Sequence, residues 1–176
     1  MFINQNKLTN HNFFMQLALN QARTSLGNTS KNPAVGCVIT KNQTLISAAC
    51  TSITGRPHSE KNAINLIKGK FHDSDLYVTL EPCSHYGKTP PCTNLITKKR
   101  FKRVFFSVLD PDPRTYNKSL KKIKKKGIKV QIGLCKSEIN NFYESYFKSK
   151  NKELPYVTCK LATSRDFYTT NKRNKW

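Results

Sequence analysis

His58, Glu60, Cys83 and Cys92 are the residues of this 176-residue chain whose types and spacing could do chemistry. One imidazole and two thiolates can supply three ligands to Zn²⁺ and leave a fourth position open for water, whereas a structural zinc site would use four protein ligands. Glu60, two residues after the histidine, is placed to move protons at that water. Each half of the pattern is weak alone. A histidine shortly before a glutamate is common by chance, a glutamate at a helix start is favoured by the helix dipole, and two cysteines could be buried small hydrophobes.

The combination is stronger. Zinc deaminases pair an H-x-E with a P-C…C segment, and their glutamate is a general acid/base, not a ligand. Pro82 directly precedes Cys83 here, but eight residues, Ser84 to Pro91, separate Cys83 from Cys92 in place of the usual two. The run Glu81-Pro82-Cys83-Ser84-His85-Tyr86-Gly87-Lys88-Thr89-Pro90-Pro91-Cys92 resembles, without a gap, the deaminase domain of the bifunctional riboflavin-biosynthesis deaminase/reductases. That resemblance implies a cytidine-deaminase-like fold and Zn²⁺ as cofactor. It also implies hydrolytic deamination of 2,5-diamino-6-ribosylamino-4(3H)-pyrimidinone 5′-phosphate with release of ammonia. The residues alone support a zinc-dependent, hydrolytic deamination of a heterocycle.

The resemblance extends beyond the cysteine loop. Asn32-Pro33-Ala34-Val35-Gly36 is similar to the family's N-P-x-V-G, which implies a pyrimidine contact for Asn32; a turn or cap asparagine is the plainer alternative. Asp110-Pro111-Asp112-Pro113 is similar to D-P-N-P, with Asp112 where asparagine is usual. That exchange removes an amide donor and adds charge near a phosphate-bearing ligand. Lys118 keeps the charge of a G-K/R-G whose glycines are replaced here by Asn117 and Ser119, so Lys118 is expected to hold the 5′-phosphate. His85, Lys88 and Thr89 could meet ribose or phosphate, or could pack the loop. Further on, Lys160, Ala162, Ser164 and Asp166 follow the K-x-A-x-S-x-D-G start of the family's reductase domain, with Phe167 in the glycine position. A phenylalanine resists the positive φ that glycine permits. We therefore expect a deaminase domain over residues 1–150, a reductase remnant over 151–176 with a disordered basic tail, and a separate reductase chain downstream.

Hydrophobic periodicity supplies the elements that must position these groups. Residues 10–26 predict a helix. Two apolar runs, 34–39 and 44–49, flank a turn and predict an antiparallel hairpin. Pro57 introduces a helix whose first turn carries His58 and Glu60. A buried strand over 75–80 delivers the cysteine loop at its C-terminal end, where open α/β sheets place their sites. Cys92 opens the next helix, a strand follows over 103–109, and helix 117–126 stops at Gly127. Strand 129–132, helix 137–148 and a closing strand over 155–161 complete the order. The expectation is a three-layer α/β/α sandwich around a mixed sheet.

Composition bounds the rest. A chain of this length suits one domain with a real core, and 37% hydrophobic content supports folding. No apolar run approaches a membrane span and no secretory signal is evident at the N-terminus. Six cysteines without a disulfide framework fit a reducing cytoplasm; Cys37, Cys50, Cys135 and Cys159 are expected to be buried thiols. The net charge of +21, with lysine-rich runs over 98–103 and 121–126, could track a phosphate backbone. No aromatic platform interleaves with the second run, so a solvated helix face is favoured and nucleic acid is not the expected partner. The expected partner is the phosphorylated ribosylaminopyrimidine, steered in by the basic surface, and a homo-oligomer is expected. A nucleoside or tRNA-type base deaminase and a zinc-binding inactive relic are the rival readings.

Overall fold

The computed structural model describes residues 5–152 and 156–169. Helix α1 (Gln5–Thr24) precedes a hairpin of β1 (Gly36–Lys41) and β2 (Thr44–Cys50), and α2 (Ser59–Asn65), β3 (Ser74–Leu80), α3 (Cys92–Lys99) and β4 (Arg103–Val108) follow. The order closes with α4 (Lys118–Lys125), β5 (Lys129–Ile132), α5 (Lys136–Phe142) and α6 (Glu144–Lys152). The five strands form one sheet in the order β2-β1-β3-β4-β5. β1 runs antiparallel to β2 and β3, whereas β3, β4 and β5 are mutually parallel.

Both sheet faces are covered, and the period-two alternation of strand side chains sorts the core into halves. Leu76, Val78, Val104 and Phe106 pack against Ala63 and Ile64 of α2, Ile96 of α3 and Ile123 of α4. Tyr77 and Phe105, one register position away on the same strands, turn to the other face and meet Phe14, Met15 and Leu19 of α1 with Ile139 of α5. Every residue of β3 is buried, as a central strand between two helical layers requires. Gly36 lets α1 lie against β1: a Cβ there would sit 1.7 Å from the Ala18 carbonyl oxygen.

The fold expected from the sequence is present, with four corrections. α1 begins earlier than residue 10, at Gln5. The helix expected over 137–148 is two helices, broken at Tyr143. That side chain is buried, and its hydroxyl donates to Ala34 O at 2.9 Å and lies 2.6 Å from Thr79 Oγ1. No strand forms over 156–161: these residues are exposed and pair with no strand, so Cys159 is an exposed thiol. Their alternating pattern suits a half-buried strand, but the edges of this sheet are β2 and β5. Finally, Phe167 adopts the positive φ (66°) that glycine would have taken, inside a turn where Ser164 N donates to Tyr168 O. Most of the tail expected to be disordered lies outside the described residues.

The basic run of α4 is largely a solvated face, with Lys121, Lys124 and Lys125 exposed and Ile123 buried beneath them. Among the described residues, no helix is long and apolar enough to cross a membrane.

Candidate active site

The C-terminal ends of the parallel strands and the starts of α2 and α3 meet at one point. His58 caps the N-terminus of α2 with extended backbone angles (φ −70°, ψ 156°), and Glu60 is buried in that helix's first turn. Cys83 lies in the loop leaving β3, and Cys92 is the first residue of α3. His58 Nδ1 lies 3.6 Å from Cys83 Sγ and 3.4 Å from Cys92 Sγ, while the Cys92 backbone N–H donates to Cys83 Sγ at 3.1 Å. One ligand atom from each of the three residues fits within 4.8 Å of the others. The loop is closed at its far end by Thr93 N, which donates to Cys83 O at 3.2 Å.

The electrostatics match the donor set. Hydrogen bonding from Cys92 holds the Cys83 thiol well below its ordinary value, and the same contact pushes Cys92 up. His58 is raised, chiefly by its contact with Cys83, against burial, which lowers it. An imidazole and two sulfurs sharing protons at this separation form a cluster whose protons a metal ion would displace. Glu60 is raised by burial, an effect that His58 opposes, and Ser59 Oγ donates to its Oε2 at 3.1 Å.

Above this floor opens a cavity of about 300 Å³. Asn32, Pro33, Val35, Asp110, Asp112 and Tyr146 line it together with His58, Glu60 and Cys83. Five cationic side chains, Lys31, Arg56, Lys88, Arg114 and Lys150, also line it. Residues 8–108 match the family described as the cytidine and deoxycytidylate deaminase zinc-binding region. The chain belongs to that family.

Relatives narrow the branch. The riboflavin biosynthesis protein RibD of Bacillus amyloliquefaciens is 39% identical over 93% of this chain and 45% of its own length. The diaminohydroxyphosphoribosylamino-pyrimidine deaminase of Buchnera aphidicola subsp. Schizaphis graminum is 39% identical over 81% of this chain and 97% of its own length. A solved structure of Acinetobacter baumannii RibD superposes with a TM-score of 0.84 at 36% identity, over 91% of this chain and 45% of that one. The chain thus spans about 45% of the length of the RibD proteins it matches. For a zinc-binding family, His58, Cys83 and Cys92 are the residues here that fit the metal.

Most residues singled out from the sequence gather at this cavity. His85 and Lys88 line it, and His85 Nδ1 lies 3.2 Å from Thr115 Oγ1. Asn32 lines it too, with its Nδ2 donating to Gly55 O at 2.9 Å. Thr89 stands outside the lining and instead accepts a hydrogen bond from Arg56 Nη1 at 2.7 Å, which orients that guanidinium. Lys118 is exposed in the first turn of α4 and is not part of the cavity lining. Asp112 is buried and bridged by its near neighbour: Arg114 Nε donates to Oδ1 at 2.9 Å and Nη2 to Oδ2 at 2.6 Å, with Lys150 Nζ 3.9 Å from Oδ2. This fork holds Asp112 below the usual carboxylate range, so the added charge is neutralised on the spot.

Sequence reasoning missed Lys31, Arg56, Arg114, Tyr146 and Lys150. Arg56 carried a signal, since it stands two residues before His58. Tyr146 and Lys150 carried none: they reach the cavity from α6, far along the chain.

Proposed function

We propose that the chain deaminates 2,5-diamino-6-ribosylamino-4(3H)-pyrimidinone 5′-phosphate, replacing its 2-amino group by oxygen from water and releasing ammonia. The observation that carries this reading is the cavity itself: a buried Glu60 beside a His/Cys/Cys cluster, under a ring of cations suited to a phosphorylated ligand. The name of the Buchnera relative, matched over 97% of its length, supports the substrate class.

His58, Cys83 and Cys92 would hold zinc, which when bound would supply a Lewis acid able to make water a nucleophile near neutral pH. Glu60 does the proton work. Its carboxylate takes a proton from the attacking water, passes it to the adjacent ring nitrogen, and serves the departing ammonia. Burial, which raises this carboxyl, suits a group that must both accept and return a proton. Ser59 Oγ holds one carboxylate oxygen in place. Asn32 Nδ2 is committed to Gly55 O, which fixes the rotamer and leaves the amide oxygen to meet the pyrimidine edge.

For the 5′-phosphate, Lys31, Arg56 and Lys88 are the cations we assign. Among the described residues none of the three forms an ion pair with a carboxylate, whereas Arg114 and Lys150 are engaged by Asp112. Thr89 acts through Arg56.

The test is ammonia release from the phosphorylated pyrimidine, its dephosphorylated form, cytidine and a tRNA, measured side by side on zinc-loaded protein. The expected result is turnover of the first, weaker turnover of the second and none of the others. Turnover of cytidine or tRNA without turnover of the pyrimidine phosphate would overturn the assignment.

A further inference from the structure

Glu81 stands between the last residue of β3 and the Pro82-Cys83 step, where a charged side chain would be expected to reach solvent. It does not: the residue is 3% exposed. Among the described residues no cation lies within ion-pair distance of it. Four donors converge on its carboxylate instead. Oε2 accepts from the backbone N–H of Asn117 at 3.0 Å and of Asp110 at 3.4 Å. Oε1 accepts from the backbone N–H of Ser119 at 3.1 Å and also from the Ser119 hydroxyl. A buried carboxylate surrounded by donors is stable, but removing its acceptor capacity strands every one of them.

These partners belong to two separate segments, the start of the 110–116 loop and the N-terminus of α4. The first supplies the cavity's far wall. Asp110 Oδ1 accepts from Asp112 N at 2.9 Å and from the Tyr146 hydroxyl at 3.1 Å, so Asp110 passes its position to both of its neighbours in the lining. The second segment returns to the cysteine loop: Lys122 Nζ of α4 donates to Ser84 O at 2.5 Å, and Ser84 Oγ donates to Arg114 O at 3.0 Å. Glu81 thus sits at the root of a closed circuit running from the cysteine loop to the far wall, to α4 and back.

We propose that Glu81 is a positioning residue: its buried carboxylate fixes the distance between the metal-bearing cysteine loop and the Asp110–Arg114 wall, and so the width of the substrate cavity. The ligands themselves are held by other contacts, among them Cys92 N to Cys83 Sγ and Thr93 N to Cys83 O. Glu81 acts on the fit of the ligand, and the metal stays where it is.

The test uses Glu81→Gln, which keeps the side-chain shape and turns one acceptor into a donor facing donors, and the milder Ser119→Ala, in case the first variant does not fold. Two arms do not depend on the deaminase reading. Zinc per chain should equal wild type in both variants. Amide exchange should show Asp110, Asn117 and Ser119 losing protection together, by about tenfold or more in Glu81→Gln, while β3 and β4 amides keep theirs. The third arm rests on the proposed reaction: KM for the pyrimidine phosphate should rise about tenfold in Glu81→Gln with kcat changed by less than about threefold, and about two- to threefold in Ser119→Ala. Loss of zinc in either folded variant would assign Glu81 to the metal loop and overturn the proposal. So would unchanged protection at the three amides, or a lowered Tm with unchanged KM. If wild type proves inactive on the pyrimidine, the reaction is wrong and the zinc and exchange arms still decide the role of Glu81.

Discussion

The floor and the wall of the cavity are built in different ways. The floor groups His58, Glu60 and Cys83, together with Cys92 of the same cluster, come from a stretch of 35 consecutive positions and sit at the ends of regular elements. Backbone geometry places them: a helix cap, a first turn, a strand exit and a helix start. The wall and rim draw on Lys31, Arg56, Lys88, Asp110, Asp112, Arg114, Tyr146 and Lys150, spread over most of the chain. Side-chain contacts hold several of them: Thr89 engages Arg56, Glu81 the Asp110 backbone, and Arg114 and Lys150 pair with Asp112. The contrast teaches that, on the proposed reaction, the chemical groups rest on a few local backbone conformations, while the ligand-facing groups rest on hydrogen bonds between distant segments.

Removing a floor ligand should break this arrangement most completely. Cys83→Ala and Cys92→Ala are expected to lose zinc and with it all detectable ammonia release, whereas Arg56→Ala should keep zinc at the wild-type ratio. Metal analysis of purified variants decides it, and full occupancy in both cysteine variants would remove them from the ligand set.

Next in size is Glu60→Gln. It should bind zinc and fold normally yet lose about 10² to 10⁴ in kcat, because the amide can hydrogen-bond but cannot carry a proton. A near wild-type rate would reduce Glu60 to a helix-start residue.

The wall makes a smaller prediction. Arg56→Ala should raise KM for the phosphorylated pyrimidine by about tenfold and leave the dephosphorylated compound little changed, as loss of a remote ground-state contact does. Lys118→Ala, exposed and outside the lining, should change KM by less than about twofold. A reversed order for the two variants would return the phosphate to the start of α4.

The smallest effect separates two aspartates within the wall. Burial raises Asp110 from 3.8 to about 6, while the hydrogen bonds from Arg114 lower Asp112. Asp110 faces Asp112, Glu81 and the Tyr146 hydroxyl, and Arg114 lies close enough to interact with its charge, yet burial dominates. A raised carboxyl contributes stability that is complete below its unfolded value and lost as pH climbs through the folded one. Stability from Asp110 therefore falls between about pH 4 and 6, and Asp110→Asn should gain in Tm relative to wild type as pH rises through that window. Asp112 has the opposite sign: its contribution is present above about pH 4 and lost on acidification, so Asp112→Asn should cost most near neutrality. Thermal melts of both variants across pH check this; parallel profiles would mean that the two carboxyls share one environment.

The two regions also differ in how far they could be read in advance. The H-x-E triplet, the Pro82-Cys83 step and Cys92 were legible because their spacing is a covalent fact and because the strand and helix periodicities on either side fix where they point. The strands of the sheet were legible for the same reason, to within a residue or two. Strand 155–161 misled because alternation reports that one face of a segment wants burial, not that a sheet edge is there to receive it. Lys118 stands exposed outside the cavity lining, because a charge near a motif says nothing about the direction of its helix face. Glu81 looked like one letter of a motif, and its burial under four donors depends on α4 returning to β3 after a long excursion.

By itself the sequence determined which residue types are available to hold zinc and to move a proton, and that a helix-flanked sheet would bring the two halves of the motif to one end. Only the tertiary structure decided what surrounds that chemistry. It put α2, α3 and α4 on one face and α1 with α5 on the other, aimed Arg56 and Lys88 into the cavity and left Lys118 outside, and matched Asp112 with Arg114. The physical reason is range. Backbone propensity and side-chain periodicity act over a few residues, whereas a cavity wall is set by which distant donors and charges find each other once the core has packed.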